Sequence, residues 1–362
     1  MNFIDLQAQY QSIKGEVDRR IHAVLDHGRY ILGPEVQEME AALAAYTGAK
    51  HCVAVASGTD ALLIALMAAG IGPGDEVITT PFSFVATAEV IVLCGAKPVF
   101  ADIEPDTCLI DPARIAEKIT PATKAIIPVS LYGQAADMDE INALAEKHGI
   151  LVIEDAAQSF GAAYRERRSC NLSSIACTSF FPSKPLGCYG DGGALFTDND
   201  DIAKLARQIR VHGDESRYRH VRLGVAGRMD SIQCAVILAK LGTFDWELEQ
   251  RARIAARYEA GLRGVAQTIR VKQDRSSVHA QYTIMTERRD ELQQKLSAQG
   301  IPTAIHYPLP IDHQPAYAHL AGEACEASLA ASRIVISLPM SPFLSAEDQD
   351  RVIDAVKAVL AG

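Results

Sequence analysis

The sequence has no long hydrophobic run. Its longest apolar stretch, at residues 61–69, is far shorter than the about 20 residues that a membrane-spanning helix needs. Residues 1–14 also lack the basic segment and apolar core of a secretory signal. We therefore expect a cytoplasmic protein with no membrane partner.

Acidic residues outnumber basic residues, and the cysteines do not follow the spacing of a metal site or a disulfide framework. The 362 residues include 35 Lys and Arg against 45 Asp and Glu, a formal net charge of −10. This balance argues against a nucleic-acid partner, because phosphate backbones need net basic surface. The 8 cysteines have neither zinc-ligand spacing nor the framework of a disulfide scaffold. We expect free, mostly buried thiols and no metal site.

Short apolar runs alternate with helical segments over residues 50–200. Such strands predict an α/β core, with a mostly parallel sheet covered by helices on both faces. A polar, arginine-rich segment at residues 213–228 precedes one long predicted helix at 229–261, and a strand is predicted at 303–306. The predicted division is a large α/β domain at residues 1–245 and a small C-terminal α+β domain at residues 246–362.

Two polar turns follow predicted strands. In Ser-Gly-Thr-Asp at residues 57–60, free N–H groups, the flexible Gly58 and the Thr59 hydroxyl suit a phosphate, although a plain helix cap also fits. Asp155 ends an apolar strand, where open α/β sheets bind ligands. A carboxylate there can keep the pyridinium nitrogen of a pyridoxal cofactor protonated, and Gln158 could form a hydrogen bond with the oxygen on the same ring. A metal ligand, a ribose ligand or a helix cap are the alternatives for Asp155.

Lys184 lies in an otherwise apolar loop bounded by prolines. Desolvation lowers the pKa of such an amine. It therefore favours the neutral form that a Schiff base with pyridoxal phosphate (PLP) requires. If the loop is considered alone, a surface lysine on a turn is the simpler explanation. Ser179 is placed to contact phosphate, and Phe84 to stack on the cofactor, although a core role fits Phe84 equally. The order of phosphate turn, Asp155, Lys184 and the glycine turn at residues 190–193 is the specific signal.

These motifs resemble the DegT/DnrJ/EryC1/StrS sugar aminotransferases, a branch of the PLP-dependent enzymes of fold type I, from residues 30–34 to residues 337–339. The resemblance implies a mostly parallel sheet of the seven-stranded type, flanked by helices, and a homodimer with active sites shared between subunits. It also assigns roles to individual residues. Lys184 is the catalytic lysine; the cofactor-binding residues are Gly58, Thr59, Phe84, Asp155, Gln158, Ser179 and Lys184; the substrate-binding residues are Arg29, Tyr30, Arg228, His306 and Tyr307.

Several stretches resemble the branch of this family that acts on 3-oxo-uronates. The implied reaction transfers the amino group of L-glutamate to C3 of a UDP-linked 3-oxo sugar, UDP-2-acetamido-2-deoxy-3-oxo-glucuronate, for surface polysaccharide (O-antigen) synthesis. The alternatives are a 3- or 4-amino-hexose linked to dTDP, GDP or UDP, a sugar dehydratase, and a non-catalytic PLP-binding regulator. The dehydratases carry His at the position of Lys184, which counts against them.

Two positions depart from the family pattern. Ala226 replaces an Asn that, in the family, contacts the PLP phosphate of the partner subunit, and Arg29 replaces a Gln. The resemblance implies that Arg228 reaches into the neighbouring site. At Ala226, either the phosphate contact is lost, with weaker cofactor retention, or another group replaces it. At Arg29 we expect altered substrate contacts, with the reaction unchanged.

Overall fold

The computed structural model describes residues 1–320 and 322–361. Its helices, in chain order, are α1 Leu6–His27, α2 Pro34–Thr47, α3 Gly58–Ala68, α4 Ala86–Leu93, α5 Pro112–Lys118, α6 Met138–His148, α7 Asp200–Ile209, α8 Ser231–Leu241, α9 Phe244–Leu262, α10 Arg289–Ala298, α11 Glu326–Ile334 and α12 Ala346–Leu360. Its strands are β1 His51–Val55, β2 Glu76–Thr79, β3 Lys97–Phe100, β4 Thr123–Ile127, β5 Leu151–Asp155, β6 Ala163–Tyr164, β7 Arg167–Arg168, β8 Ile175–Ser179, β9 Gly193–Thr197, β10 Asp214–Ser216, β11 Arg219–His220, β12 Gln267–Thr268, β13 Tyr282–Met285 and β14 Val335–Leu338.

Seven strands form the central sheet, in the order β1-β9-β8-β5-β4-β2-β3. Strand β9 is antiparallel to both of its neighbours, and the other six strands run in one direction. The carboxyl ends of six strands and the amino end of β9 therefore meet at one edge. The predicted mostly parallel α/β sheet is confirmed.

Alternation along the strands explains why helices cover both faces of this sheet. In β1, Cys52 and Ala54 pack into a core that contains residues of α1, α2 and α8, whereas Val53 and Val55 pack into a second core with α3. Strands that bury both faces in this way need no polar side, which is typical of parallel sheets.

The C-terminal part is a second unit. Strands β12, β13 and β14 form an antiparallel sheet, and its apolar face packs with α9, α10 and α12. The first residues of the chain join this unit, because Phe3 O accepts from Met340 N (3.0 Å) and Asp5 N donates to Ser341 Oγ (3.3 Å).

Two predicted elements are wrong. The helix expected over residues 229–261 is two helices, α8 and α9, separated at Gly242 and Thr243, where Thr243 leaves the helical region. Glycine is a poor helix former, and the non-helical backbone angles of Thr243 end the continuous helical path between α8 and α9. The strand expected at residues 303–306 is only a single bridge between Ala304 and Ser337.

The boundary predicted at residue 245 falls at the start of α9, a helix shared by the two cores. The division into domains therefore stays a prediction. The N-terminal helices α1 and α2 had not been predicted as separate elements; they cover α8.

The cysteines are free and mostly buried, as expected. All 8 are free, and only Cys94 is not fully buried. Within residues 1–320 and 322–361, no helix is long and apolar enough to cross a membrane. Over the same residues, no group of three or more His, Cys, Asp or Glu could hold a metal ion.

Candidate active site

A cavity of about 500 Å³ opens at the edge where the strands end. Nine of the residues predicted for the site line it: Gly58, Thr59, Phe84, Asp155, Gln158, Ser179, Lys184, His306 and Tyr307. Their position agrees with the rule that open α/β sheets bind ligands beyond the carboxyl ends of their strands.

The register of the sheet builds the phosphate turn. Gly193 pairs with Val55 on one side and with Ser179 on the other, so that the turn after β1 lies beside Ser179. A Cβ on Gly193 would lie 2.4 Å from the carbonyl carbon of Ser57, and one on Gly58 would lie 2.7 Å from Ser179 Cβ. Glycine is required at both positions because the two segments are in direct contact.

Helix α3 begins at this turn. Ser57 Oγ accepts from Asp60 N (3.0 Å) and caps the helix. The first N–H groups of a helix have no intrahelical acceptor, so those of Gly58 and Thr59 can bind an anion. With the Ser179 hydroxyl beside them, this turn fits a phosphate group.

Asp155 is buried at the end of β5. Its Oδ2 accepts from Thr87 Oγ1 (2.8 Å), and its Oδ1 accepts from Ala157 N (3.1 Å). Burial raises the pKa of this carboxyl group, while the hydrogen bonds from Thr87 and Ala157 and the charge of Lys184 oppose the rise. A buried carboxylate held from two sides suits a positively charged nitrogen.

The Lys184 side chain is partly exposed and lines the cavity. Desolvation of its amine lowers the pKa of Lys184. The negative charge of Asp155 acts in the opposite direction. The backbone of the turn is fixed by a hydrogen bond from Lys184 N to Phe181 O (2.8 Å). The structure therefore brings an amine with a lowered pKa into the same cavity as Asp155.

Gln158 and Tyr307 connect the sheet to the C-terminal unit. Gln158 Oε1 accepts from Tyr132 N (2.9 Å), and Gln158 Nε2 donates to Tyr307 Oη (3.1 Å). The Tyr132 hydroxyl donates to the carbonyl of His306. Burial, with a smaller effect from the charge of Lys184, lowers the pKa of His306 to about 4, so its imidazole is neutral at pH 7.

Three predicted substrate residues lie outside this cavity. Arg29 and Tyr30 are exposed in the segment between α1 and α2. Arg228 lies between β11 and α8, and its buried Nε has no hydrogen-bond partner among the residues that the structure describes. One chain does not bring these three residues to the other nine. Ala226, the departure from the family pattern, is exposed.

Sequence reasoning missed the roles of several residues in and next to the cavity. Thr87 holds Asp155 across 68 positions of sequence, and Tyr132 holds both Gln158 and His306. Gln281 also lines the cavity, with a buried Oε1 that has no partner in the described part of the chain. A hydroxyl in the apolar helix α4 was the available signal for Thr87. No local pattern marks the other two.

Comparison with known proteins identifies the family. The model of the DegT/DnrJ/EryC1/StrS aminotransferase family matches residues 11–357. UDP-2-acetamido-2-deoxy-3-oxo-D-glucuronate aminotransferase from Pseudomonas aeruginosa is 54% identical over 95% of this chain and 96% of its own length. A protein named pleiotropic regulatory protein, from Geobacillus stearothermophilus, is 47% identical over 98% of this chain and 96% of its own. dTDP-3-amino-3,4,6-trideoxy-alpha-D-glucose transaminase from Streptomyces venezuelae is 44% identical, with coverages of 98% and 95%.

Solved structures agree with this result. A DegT DnrJ EryC1 StrS aminotransferase from Brucella abortus has a TM-score of 0.96 and 43% identity, and the match covers 100% of both chains. NtdA from Bacillus subtilis, solved with bound cofactor PMP, has a TM-score of 0.91 and 32% identity, with 97% of this chain and 82% of that chain covered. The bound cofactor of NtdA agrees with the cofactor predicted here, and the predicted fold type and enzyme class are confirmed. The chain belongs to the DegT/DnrJ/EryC1/StrS aminotransferase family.

Proposed function

We propose that this protein is a PLP-dependent aminotransferase that transfers the amino group of L-glutamate to C3 of UDP-2-acetamido-2-deoxy-3-oxo-glucuronate. The observation that carries the proposal is the placement of the Lys184 amine and the buried Asp155 carboxylate in one cavity, beside a phosphate turn. The relative from P. aeruginosa, at 54% identity, supports the sugar.

The residues of the cavity fit the cofactor. The N–H groups of Gly58 and Thr59 and the Ser179 hydroxyl would hold the phosphate, Asp155 would pair with the ring nitrogen, and Phe84 would cover the ring. When bound, pyridoxal phosphate supplies an electron sink that stabilises negative charge on the carbon beside the amino group. Lys184 would anchor the cofactor covalently.

Lys184 would also move the proton. When its amine is not bonded to the cofactor, Lys184 would accept the proton from the α-carbon of glutamate and pass it on. Its lowered pKa leaves more of this amine in the neutral form that accepts a proton. The hydrogen-bonded pair Gln158 and Tyr307 would limit where the substrates can lie.

Arg228 would bind the carboxylates of the two substrates. Its buried Nε lacks an acceptor in the described residues, and no carboxylate of those residues lies within salt-bridge distance of its guanidinium. An arginine without an acid partner suits bidentate binding of a carboxylate. Glutamate and the uronate both present one.

The site would be completed by a second copy of the chain. Large apolar side chains are exposed at and near the cavity, including Phe84 (56%) and Phe181 (52%), which line it, and Leu223 (87%), which lies shortly before Arg228. Patches of this kind mark protein interfaces. In a homodimer, Arg228, Arg29 and Tyr30 of one subunit would reach the cavity of the other. The cytoplasmic location and the absence of nucleic-acid and membrane partners stay predictions.

The visible absorption of the cofactor tests the proposal. Adding L-glutamate to the PLP-loaded protein should remove the band, and adding UDP-2-acetamido-2-deoxy-3-oxo-glucuronate should restore it and yield the 3-amino sugar. The Lys184→Ala variant is the matched control and should show neither change. If glutamate leaves the wild-type spectrum unchanged, the aminotransferase assignment is wrong.

The same assay separates the alternatives. Restoration of the band by a dTDP-linked keto-hexose, but not by the uronate, would favour the specificity named for the S. venezuelae relative. Binding of PLP without any response to glutamate would favour a regulator, in keeping with the name of the G. stearothermophilus relative.

A further inference from the structure

Lys240 is a buried cation outside the cavity. It lies near the end of α8 with 1% of its surface exposed. Its Nζ donates to Gly187 O (2.6 Å) and lies 4.3 Å from the centre of the Tyr189 ring. No carboxylate of residues 1–320 and 322–361 forms a salt bridge with it. Burial lowers the pKa of Lys240 to about 8, and the charge of Glu247 opposes the fall.

Burial of such a cation lowers the stability of the folded protein. A buried ammonium group loses its hydration, and an apolar side chain of similar length would fill the same space without that loss. Among the described residues, Glu247 forms no hydrogen bond or salt bridge with Lys240; both of its carboxylate oxygens accept from Gln9 Nε2 (2.8 Å each), and its charge acts on Lys240 from a distance. The backbone carbonyl of Gly187 is the hydrogen-bond acceptor that the structure gives to Lys240.

Gly187 is the point where the loop that carries Lys184 folds back on itself. A Cβ on Gly187 would lie 2.6 Å from the carbonyl oxygens of Phe181 and Pro182. Phe181 O in turn accepts from Lys184 N (2.8 Å). A hydrogen bond that holds Gly187 therefore also restrains the turn that presents the Lys184 amine.

A second residue of α8 contacts the same loop. Gln233 Oε1 accepts from Tyr189 N (2.8 Å). Gln233 and Lys240 are seven positions apart, which places them on one face of the helix. This face of α8 binds the loop at two backbone groups, one on each side of Cys188.

We propose that Lys240 is a positioning residue, which holds the Lys184 amine in place by donating a charged hydrogen bond to the carbonyl of Gly187. The proposal rests on the proposed function of Lys184 as the cofactor anchor. It assigns the buried cation of α8 a role at the loop that carries Lys184.

Hydrogen exchange of the protein without cofactor tests the mechanical part. In Lys240→Met, the backbone amides of residues 181–190, apart from the two prolines, should exchange roughly tenfold faster or more, because a hydrogen bond from a charged donor is lost. Lys295→Met, at an exposed position of α10, is the control and should leave these amides unchanged. Lys240→Gln keeps a shorter N–H donor and is the second variant if Lys240→Met does not fold; it should show a smaller increase. Unchanged exchange in whichever variant folds would overturn the proposal.

The half-reaction with glutamate tests the chemical part. In Lys240→Met, the limiting rate constant of this single turnover should fall by roughly tenfold or more, and the glutamate concentration that gives half of that rate should stay within about twofold, since misplacement of a reacting group affects the chemical step. A purely structural role would instead lower activity in proportion to the fraction unfolded, measured by thermal denaturation; that result would overturn the proposal. Failure of wild-type protein to respond to glutamate, with exchange altered as expected, would contradict the proposed function and leave the loop restraint standing.

Discussion

At the scale of single residues, Asp155 depends on a neighbour that is remote in sequence. Its position at the end of an apolar strand was predictable, because the strand pattern and the rule for ligand sites both point to it. The hydroxyl of Thr87 was not predictable, since 68 positions separate it from Asp155 and only the packing of α4 on the sheet brings them together. The same holds for Tyr132, whose backbone holds Gln158.

Thr87→Val tests this dependence. The Thr87 hydrogen bond opposes the raised pKa of Asp155, so its loss should raise that pKa further. Asp155 would then lose its charge at a higher pH, and the acid limb of kcat/KM should move up by about one pH unit, since a hydrogen bond to a charged group contributes roughly 1.5–3 kcal/mol. Thr87→Ser keeps the hydroxyl and should leave the limb in place. Identical profiles for the two variants would contradict the role of Thr87.

At the scale of elements, the central strands were predictable and the connections between helices were not. Strand β9 is an example: its apolar run lies between the glycine turn at residues 190–193 and Asn199, which caps α7. The break between α8 and α9 was missed, because apolar residues continue on both sides of Gly242 and Thr243.

Gly193→Ala tests the close approach of β9 to the phosphate turn. The added Cβ would meet backbone atoms of Ser57 at 2.4 Å, which cannot move aside as a flexible side chain would. We expect a loss of stability of roughly 1–3 kcal/mol from overpacking and at least about tenfold weaker PLP binding from the displaced helix end. Thermal unfolding and PLP titration measure the two effects.

Gly15→Ala is the matched control for this change. Gly15 lies in α1 with nothing within 4 Å of an added Cβ. Alanine is the better helix former, so this variant should gain up to about 1 kcal/mol and leave PLP affinity unchanged. If both glycines tolerate alanine equally, contact with Ser57 does not determine the turn.

At the scale of the whole molecule, sharing of sites between subunits can be measured by mixing variants. Lys184→Ala and Arg228→Gln should each be inactive as homodimers. If Arg228 acts across the interface, each mixed dimer regains one intact site, and an equal mixture that is unfolded and refolded together should recover about a quarter of wild-type activity. Arg217→Gln, at an exposed position, should remain active by itself. An inactive mixture that forms dimers would place Arg228 in the site of its own chain.

Stability of the whole molecule should fall in acid. Desolvation, assisted by the charge of Arg251, lowers the pKa of His279 to about 4. The unfolded chain takes up this proton below about pH 6.5 and the folded chain does not, so stability is lost as the pH falls from about 6.5 towards 4. This loss amounts to at most about 3 kcal/mol. His279→Gln removes this pH-dependent loss. The difference in free energy of unfolding between wild type and variant, measured with denaturant, should therefore narrow between pH 7.5 and 4.5. A constant difference would show that His279 titrates normally.

The contacts of the first residues have a consequence for synthesis. Phe3 and Asp5 bind the backbone and side chain of Met340 and Ser341, almost the full length of the chain away. During translation, Phe3 and Asp5 cannot form these contacts until Met340 and Ser341 have been synthesised. A peptide added in front of Phe3 would sit against the C-terminal unit, whereas one added after α12 would leave this contact intact.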